Sequence, residues 1–243
     1  MTRKPEPTKP RVRRAAPASS RTARKGRPQR SPGAGEAAPY HHGALREALL
    51  EAAERVLERD GLAGLTLRAV AREAGVSHAA PTHHFGDLTG LLSELAAIGY
   101  QRFNAAMSAA VAAASSPAEK GLASARAYVA YAQANPGMYG LMFRAERLDH
   151  QRPSLREASE ASFARLAGAI AANRQEQIKE AALSLDQAAA IARAWSLVHG
   201  YTMLLLDDRL GDILRRSPPG TTVEILLEAM LKANAGKPPQ QSG

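Results

Sequence analysis

The 243 residues include no cysteine, which removes disulfides, Cys-ligated zinc, a thiol nucleophile and a thiol redox switch from consideration. No stretch approaches the roughly 20 apolar residues of a membrane-spanning helix. The N-terminal segment also lacks the apolar run, about 7 to 15 residues long, of a secretory signal. These absences predict a soluble, cytoplasmic protein without a membrane partner. Gly-x-Ser-x-Gly occurs nowhere, so no serine nucleophile elbow is encoded. With no carboxylate pair at one site and no phosphate-binding glycine loop, the sequence offers no catalytic residue and no cofactor. An enzyme would have to do proton transfer with histidines and Asp87 alone.

What is present divides at Tyr40. Residues 1–39 carry eleven Lys and Arg against Glu6 and Glu36, which accounts for the whole net charge of +9. This segment is rich in Pro, Ser, Gly and Ala and poor in large apolar side chains. It cannot bury enough surface to offset the entropy of ordering, and a disordered basic tail is expected over 1–39. Such a tail fits a polyanion partner, since each neutralised phosphate releases counterions. It fits a solubilising extension equally well. The remainder is electrically neutral, and with 45% apolar residues in the chain it is long enough to bury a full core.

From Gly43 onward the apolar residues recur at helical spacing. Leu45, Leu49, Ala52, Ala53, Val56 and Leu57 step by threes and fours until Gly61 stops the run. Thr66 is placed to cap a short second helix ending at Gly75, and Ser77 to cap a third. A long fourth helix starts near Asp87, with Leu91, Leu95, Ile98, Phe103, Met107 and Val111 as its stripe. Further helices are expected at about 118–134, 136–145, 153–174, 184–207 and 220–234. No run has the two-residue period of a strand. The fold class predicted is all-α, with about nine helices: three around a helix-turn-helix, then a larger C-terminal bundle.

Three of the seven histidines fall in Gly75-Val-Ser-His-Ala-Ala-Pro-Thr-His-His-Phe-Gly-Asp87. On a helix, His83 and His84 lie about 140° and 240° round from His78, so the three imidazoles diverge. Metal-sharing histidines on one helix want i, i+4 spacing, and no metal site is assigned. The context is a short helix, a tight Gly-containing turn and a second short helix. That arrangement lets the second helix protrude into a DNA major groove. Pro81 and Phe85 are assigned to inner packing, which leaves His78, Ala79, Ala80, Thr82 and His83 outward. Imidazoles and a hydroxyl can hydrogen-bond base edges and alanines can meet thymine methyls. Thr66 and Ser77 stand at helix N-termini, where amides favour phosphate. On spacing alone, an ordinary bundle surface with His84 as a hydrogen-bonded packing residue is also open.

The segment from Tyr40 to about Phe103, and above all Leu65-Thr-Leu-Arg-Ala-Val-Ala-Arg-Glu-Ala-Gly-Val-Ser77 followed by a short helix ending in His-Phe, resembles the DNA-binding domain of TetR-type (tetracycline-repressor-like) transcriptional regulators. Trp195-Ser-Leu-Val-His-Gly200 resembles the W-x-x-x-H-G motif of one C-terminal subgroup. The resemblance implies a DNA-binding domain over 40–102 and a ligand-binding and dimerisation domain over 103–236. It implies a homodimer on a double-stranded DNA operator, repression, and release by a small-molecule effector. By position, His78, Ala79, Ala80, Thr82 and His83 would face bases, with Thr66, Arg68, Ser77 and His84 as backbone contacts or supports. Two residues depart from the pattern. Thr82 stands where Tyr is usual and Leu88 where a phosphate-binding Lys is usual. Both losses weaken anchoring, which the basic tail would restore.

In the C-terminal half, Trp195 and His199 are one turn apart and share a face. Tyr128, Tyr131, Met138, Tyr139, Met142 and Phe143, with Phe103 and Met107 of the fourth helix, supply aromatic and flexible apolar surface. They are expected to line an effector cavity in which His199 orients a polar atom; plain bundle core with a satisfied histidine is the other reading. The helices at 184–207 and 220–234 are the expected dimer surface. The alternative function is nonspecific nucleic-acid binding driven by the tail.

Overall fold

The computed structural model describes residues 42–235, and in it the local signals become ten α-helices and one 3-10 turn, with no strand among the described residues. In chain order they are α1 (His42–Gly64), α2 (Leu67–Glu73), α3 (Ala79–Phe85), α4 (Leu88–Ala112), α5 (Pro117–Ala134), α6 (Pro136–Met142), the 3-10 turn Ala145–Arg147, α7 (Pro153–Arg174), α8 (Leu185–Leu206), α9 (Gly211–Arg216) and α10 (Val223–Ala235). The expected all-α fold is present with one helix more than periodicity indicates. At six residues, α9 is too short for a 3.6-residue repeat to show. The disordered tail expected over 1–39 lies outside the described residues.

Side-chain caps start five of these helices, α10 among them through Thr222 Oγ1, which accepts from the Ile225 amide at 3.3 Å. Thr66 Oγ1 accepts from the Ala69 amide at 3.1 Å, and Asp87 Oδ1 accepts from Gly90 at 2.8 Å. Ser116 with Glu119 and Ser184 with Gln187 form reciprocal capping boxes. Each satisfies amides that have no partner inside the helix. Gly61, at φ 67°, breaks α1 where the apolar run stops.

α4 is the spine and packs on α1, α5, α6 and α7. Its Leu91, Leu95, Phe103 and Met107 are buried with Leu49, Val56 and Leu57 of α1, Val70 of α2, Phe85 of α3, Leu141 of α6 and Leu155 of α7. It runs unbroken through positions 102 and 103. A smaller cluster of Val129, Tyr201, Leu210 and Leu227 joins α5, α8 and α10, and Leu214 packs on it. That contact anchors α9 on a surface no local pattern announces. Arg102 clamps both oxygens of Glu54, tying α4 to α1. Hydrogen bonds from Arg59 and Arg55 hold Glu73 of α2 well below the usual carboxylate range, so that it stays ionised against α1.

Candidate functional site

Two groups of the expected residues come together, one around α3 and one where α5, α6 and α8 meet. α2 closes with the Val76 amide on the Ala71 carbonyl (3.0 Å) and the Gly75 amide on Arg72 (3.2 Å). This paired closure needs a left-handed residue, and Gly75 supplies it at φ 68°. The next turn departs from expectation. The Ser77 side chain does not cap α3; its carbonyl accepts from the Ala80 amide at 3.0 Å. The cap position has moved on to His78, which already has helical dihedrals of −61° and −19° and makes no side-chain cap bond.

α3 carries two different faces. Ser77, His78, Ala79, Thr82 and His83 are exposed, Ala80 and His84 half-buried, Pro81 and Phe85 buried. Ala80 therefore leans partly onto the core. His84 lies between the His83 ring (centroids 5.4 Å apart) and the Phe85 ring (6.2 Å). Thr66 and Arg68 are exposed at the start of α2. Leu88 is half-buried and packs against the core, so α4 begins with an apolar side chain turned inward where a cation would reach outward. Among the described residues no three His, Cys, Asp or Glu side chains are grouped to hold a metal ion. No helix among them is long and apolar enough to cross a membrane.

The second group centres on His199. Its Nδ1 lies 2.7 Å from the Tyr139 hydroxyl and 3.0 Å from that of Tyr128, and the two hydroxyls are 3.1 Å apart. Phe143 (4.6 Å) and Trp195 (5.9 Å) flank the imidazole, while Phe103 meets Tyr128 edge-on at 4.9 Å. Burial pushes the His199 pKa down and those of Tyr128 and Tyr139 up, so the cluster is neutral at pH 7. Trp195 remains 47% exposed, which leaves one wall open.

The other expected lining residues go elsewhere. Tyr131 touches the Phe103 ring at 5.4 Å but spends its hydroxyl on the Gly99 carbonyl at 2.9 Å. Met138 and Met142 are buried with their sulfurs against Gly99, in the seam between α4 and α6. Met107 is buried too, with Ser124 Oγ 3.9 Å from its sulfur. Sequence reasoning missed Tyr100, whose hydroxyl donates to the Met142 carbonyl at 3.0 Å. It also missed the group Arg46, Glu94 and Arg152, whose members are far apart in the chain. No spacing signal could have joined them.

A depressed histidine pKa means that the unfolded chain binds the extra proton first. The stabilising contribution of neutral His199 is then present above the unfolded value, about 6.5, and lost as pH falls through the lower folded value. Denaturant titrations at pH 5.5 and 7.5 should show the wild-type chain losing stability on acidification by more than His199→Gln does. Equal losses would contradict the assignment.

A tight helix-turn-helix with an exposed second helix, mounted on a helical body, defines the class of helix-turn-helix regulators. Comparison with known proteins narrows this. Residues 49–95 match the family model for bacterial regulatory proteins of the tetR family, and residues 122–230 match the tetracyclin repressor-like C-terminal domain. The chain belongs to the TetR family. A structure from Rhodococcus sp. RHA1, a protein of unknown function, is 34% identical over 80% of this chain and 95% of its own, with TM-score 0.63. One ascribed to the tetR family of transcription regulators, from Shewanella sp. PV-4, is 19% identical over 79% and 97%, with TM-score 0.56. The transcriptional regulator FadR from Bacillus subtilis, in complex with stearoyl-CoA, is 15% identical over 76% and 95%, with TM-score 0.55. The latter two share the fold. No curated protein sequence matches the chain.

Proposed function

We propose that this chain is a sequence-specific DNA-binding transcriptional regulator without enzymatic activity, a repressor that leaves its operator when a small molecule binds. Residues 40–102 read DNA and 103–236 sense the effector and pair two chains. The carrying observation is the outward face of α3, where His78, Ala79, Thr82 and His83 are exposed while Pro81 and Phe85 seat the helix. Thr66, Arg68, Ser77 and His84 support it at the backbone, and Ala80 fills the margin between base face and core. The half-open ring cluster around His199 and Tyr139 supports an effector site of aromatic walls with a neutral hydrogen-bonding centre. The exposed Trp195, Met203 and Leu204 of α8 and Ile225 of α10 support pairing through these helices, since two from each subunit make a four-helix contact. A ligand that fits one spacing of the paired DNA-binding heads then shifts the population by its differential affinity.

The test compares a duplex enriched from a random pool by the wild-type chain with a random duplex, at several salt concentrations. His83→Ala should lose about 1–3 kcal/mol on the enriched duplex and little on the random one. Deleting residues 1–36 should weaken both and flatten the salt dependence. The eleven basic residues before Tyr40 favour a second reading, a tail-driven nonspecific binder. Equal affinity of the wild-type chain for both duplexes would establish that one instead.

A further inference from the structure

α3 has seven residues, too few to hold its own geometry, and its C-terminal end is held from elsewhere in the chain. Arg152, the residue before α7, donates through Nη2 to the Phe85 carbonyl at 3.1 Å and through Nη1 to Glu94 Oε1 at 3.1 Å. The second Glu94 oxygen takes Arg46 Nη2 of α1 at 2.6 Å. The Arg46 guanidinium in turn lies 5.5 Å from the centroid of the Phe85 ring. Two arginines more than one hundred positions apart thus meet at the last residue of α3. Burial raises the Glu94 pKa, but hydrogen bonds from Arg152 and Arg46 outweigh it, and the carboxylate stays ionised. The Asp149 amide donates to Ser93 Oγ at 2.8 Å, so the strap 149–152 is fastened to α4 as well as to α3.

The geometry suits the task. A guanidinium presents a planar fork that satisfies two acceptors at a set angle, and a cation at a helix C-terminus is favoured by the aligned carbonyls. Gly90 makes room for it, because a side chain there would stand 2.5 Å from Arg152 Nη2. We propose that Arg152 is a positioning residue for DNA reading: it grips the Phe85 carbonyl and Glu94 together and so sets the pitch of α3 against the rest of the chain. The inference rests on α3 being the helix that reads DNA. The strap follows α6 in the chain, past the 3-10 turn Ala145–Arg147, and Tyr139 of α6 touches His199, so a short run of chain joins the aromatic cluster to the arginine that grips α3.

The test uses the full chain with Arg152→Gln, Arg152→Lys and Glu94→Gln, the enriched and random duplexes at one salt concentration, amide exchange over residues 79–86, and thermal unfolding. Arg152→Gln should lose about tenfold on the enriched duplex, change by less than about twofold on the random one, and exchange faster over 79–86. Arg152→Lys, a point charge without the fork, should fall between it and wild type. Glu94→Gln, which loosens one arm of the fork, should move the same readouts less far and serves if Arg152→Gln does not fold. A preserved ratio between the duplexes, or an equal loss on both, overturns the proposal. If the wild-type chain enriches no duplex, the DNA-reading assignment of α3 fails, and the exchange alone judges Arg152: unchanged rates overturn its grip, faster rates uphold it.

Discussion

Gly90→Ala is expected to destabilise the protein by at least about 3 kcal/mol, with selective DNA binding lost at temperatures where the wild-type chain still binds. In an ordinary helix the exchange would be favourable, since Ala exceeds Gly in helix propensity by about 1 kcal/mol. Here the new Cβ would sit 2.1 Å from the Phe85 carbonyl oxygen and 2.5 Å from Arg152 Nη2. The first obstacle is backbone, so it cannot rotate aside. Relief requires moving the end of α3 away from the start of α4, which also strains the bond from the Gly90 amide to Asp87. Overpacking of a well-packed interior costs about 1–3 kcal/mol, and an immovable carbonyl places this site at or above the top of that range. Thermal unfolding followed by circular dichroism should fall by roughly 6–12 °C for a chain of this length. Adding Arg152→Ala should restore little, because the carbonyl remains. An unchanged or raised midpoint for Gly90→Ala would refute the close approach of α3 and α4.

The second large effect is at Tyr139, which is fully buried and whose hydroxyl meets both His199 and Tyr128. Tyr139→Ala should cost about 3–5 kcal/mol, the range for emptying a buried aromatic site. The ring supports Phe143 at 4.9 Å and the imidazole at 5.8 Å, so its removal takes contacts from the aromatic cluster on two sides. Tyr139→Phe keeps the volume and removes only the hydroxyl, at about 1 kcal/mol. The cost is small because the Tyr128 hydroxyl remains 3.0 Å from His199 Nδ1. Urea unfolding of the two variants should therefore separate them by 2 kcal/mol or more, as about the difference between a cavity and a lost hydrogen bond. Equal effects would mean that the site collapses around the gap or that the hydroxyl network dominates, and either result contradicts a rigid aromatic cluster.

Much of the helix-turn-helix half was legible in the sequence because its signals are local. Thr66 and Asp87 cap their helices, Gly75 closes α2, and Pro81 and Phe85 face inward. Each of these depends on residues within four positions of itself. Ser77 misled for the same reason. Its side chain suits a cap, but His78 adopts helical dihedrals and takes the position. In the C-terminal half, the pairing of Trp195 with His199 followed from helical spacing. The routing of Tyr131 onto α4 and of Met138 and Met142 into the seam between α4 and α6 did not, because an apolar stripe says that a face is buried without saying against what.

The amino-acid order alone determined an all-helical chain, its caps and breaks, and a protruding short helix with small and polar side chains, since hydrogen bonds between near neighbours carry that information. Tertiary packing alone decided that Arg46, Glu94 and Arg152 converge on Phe85, that Gly90 must stay bare, and that His199 faces two tyrosine hydroxyls. Apart from the Phe85 carbonyl, which lies five positions from Gly90, those contacts join groups far apart in the chain, and only the folded backbone brings them within bonding distance.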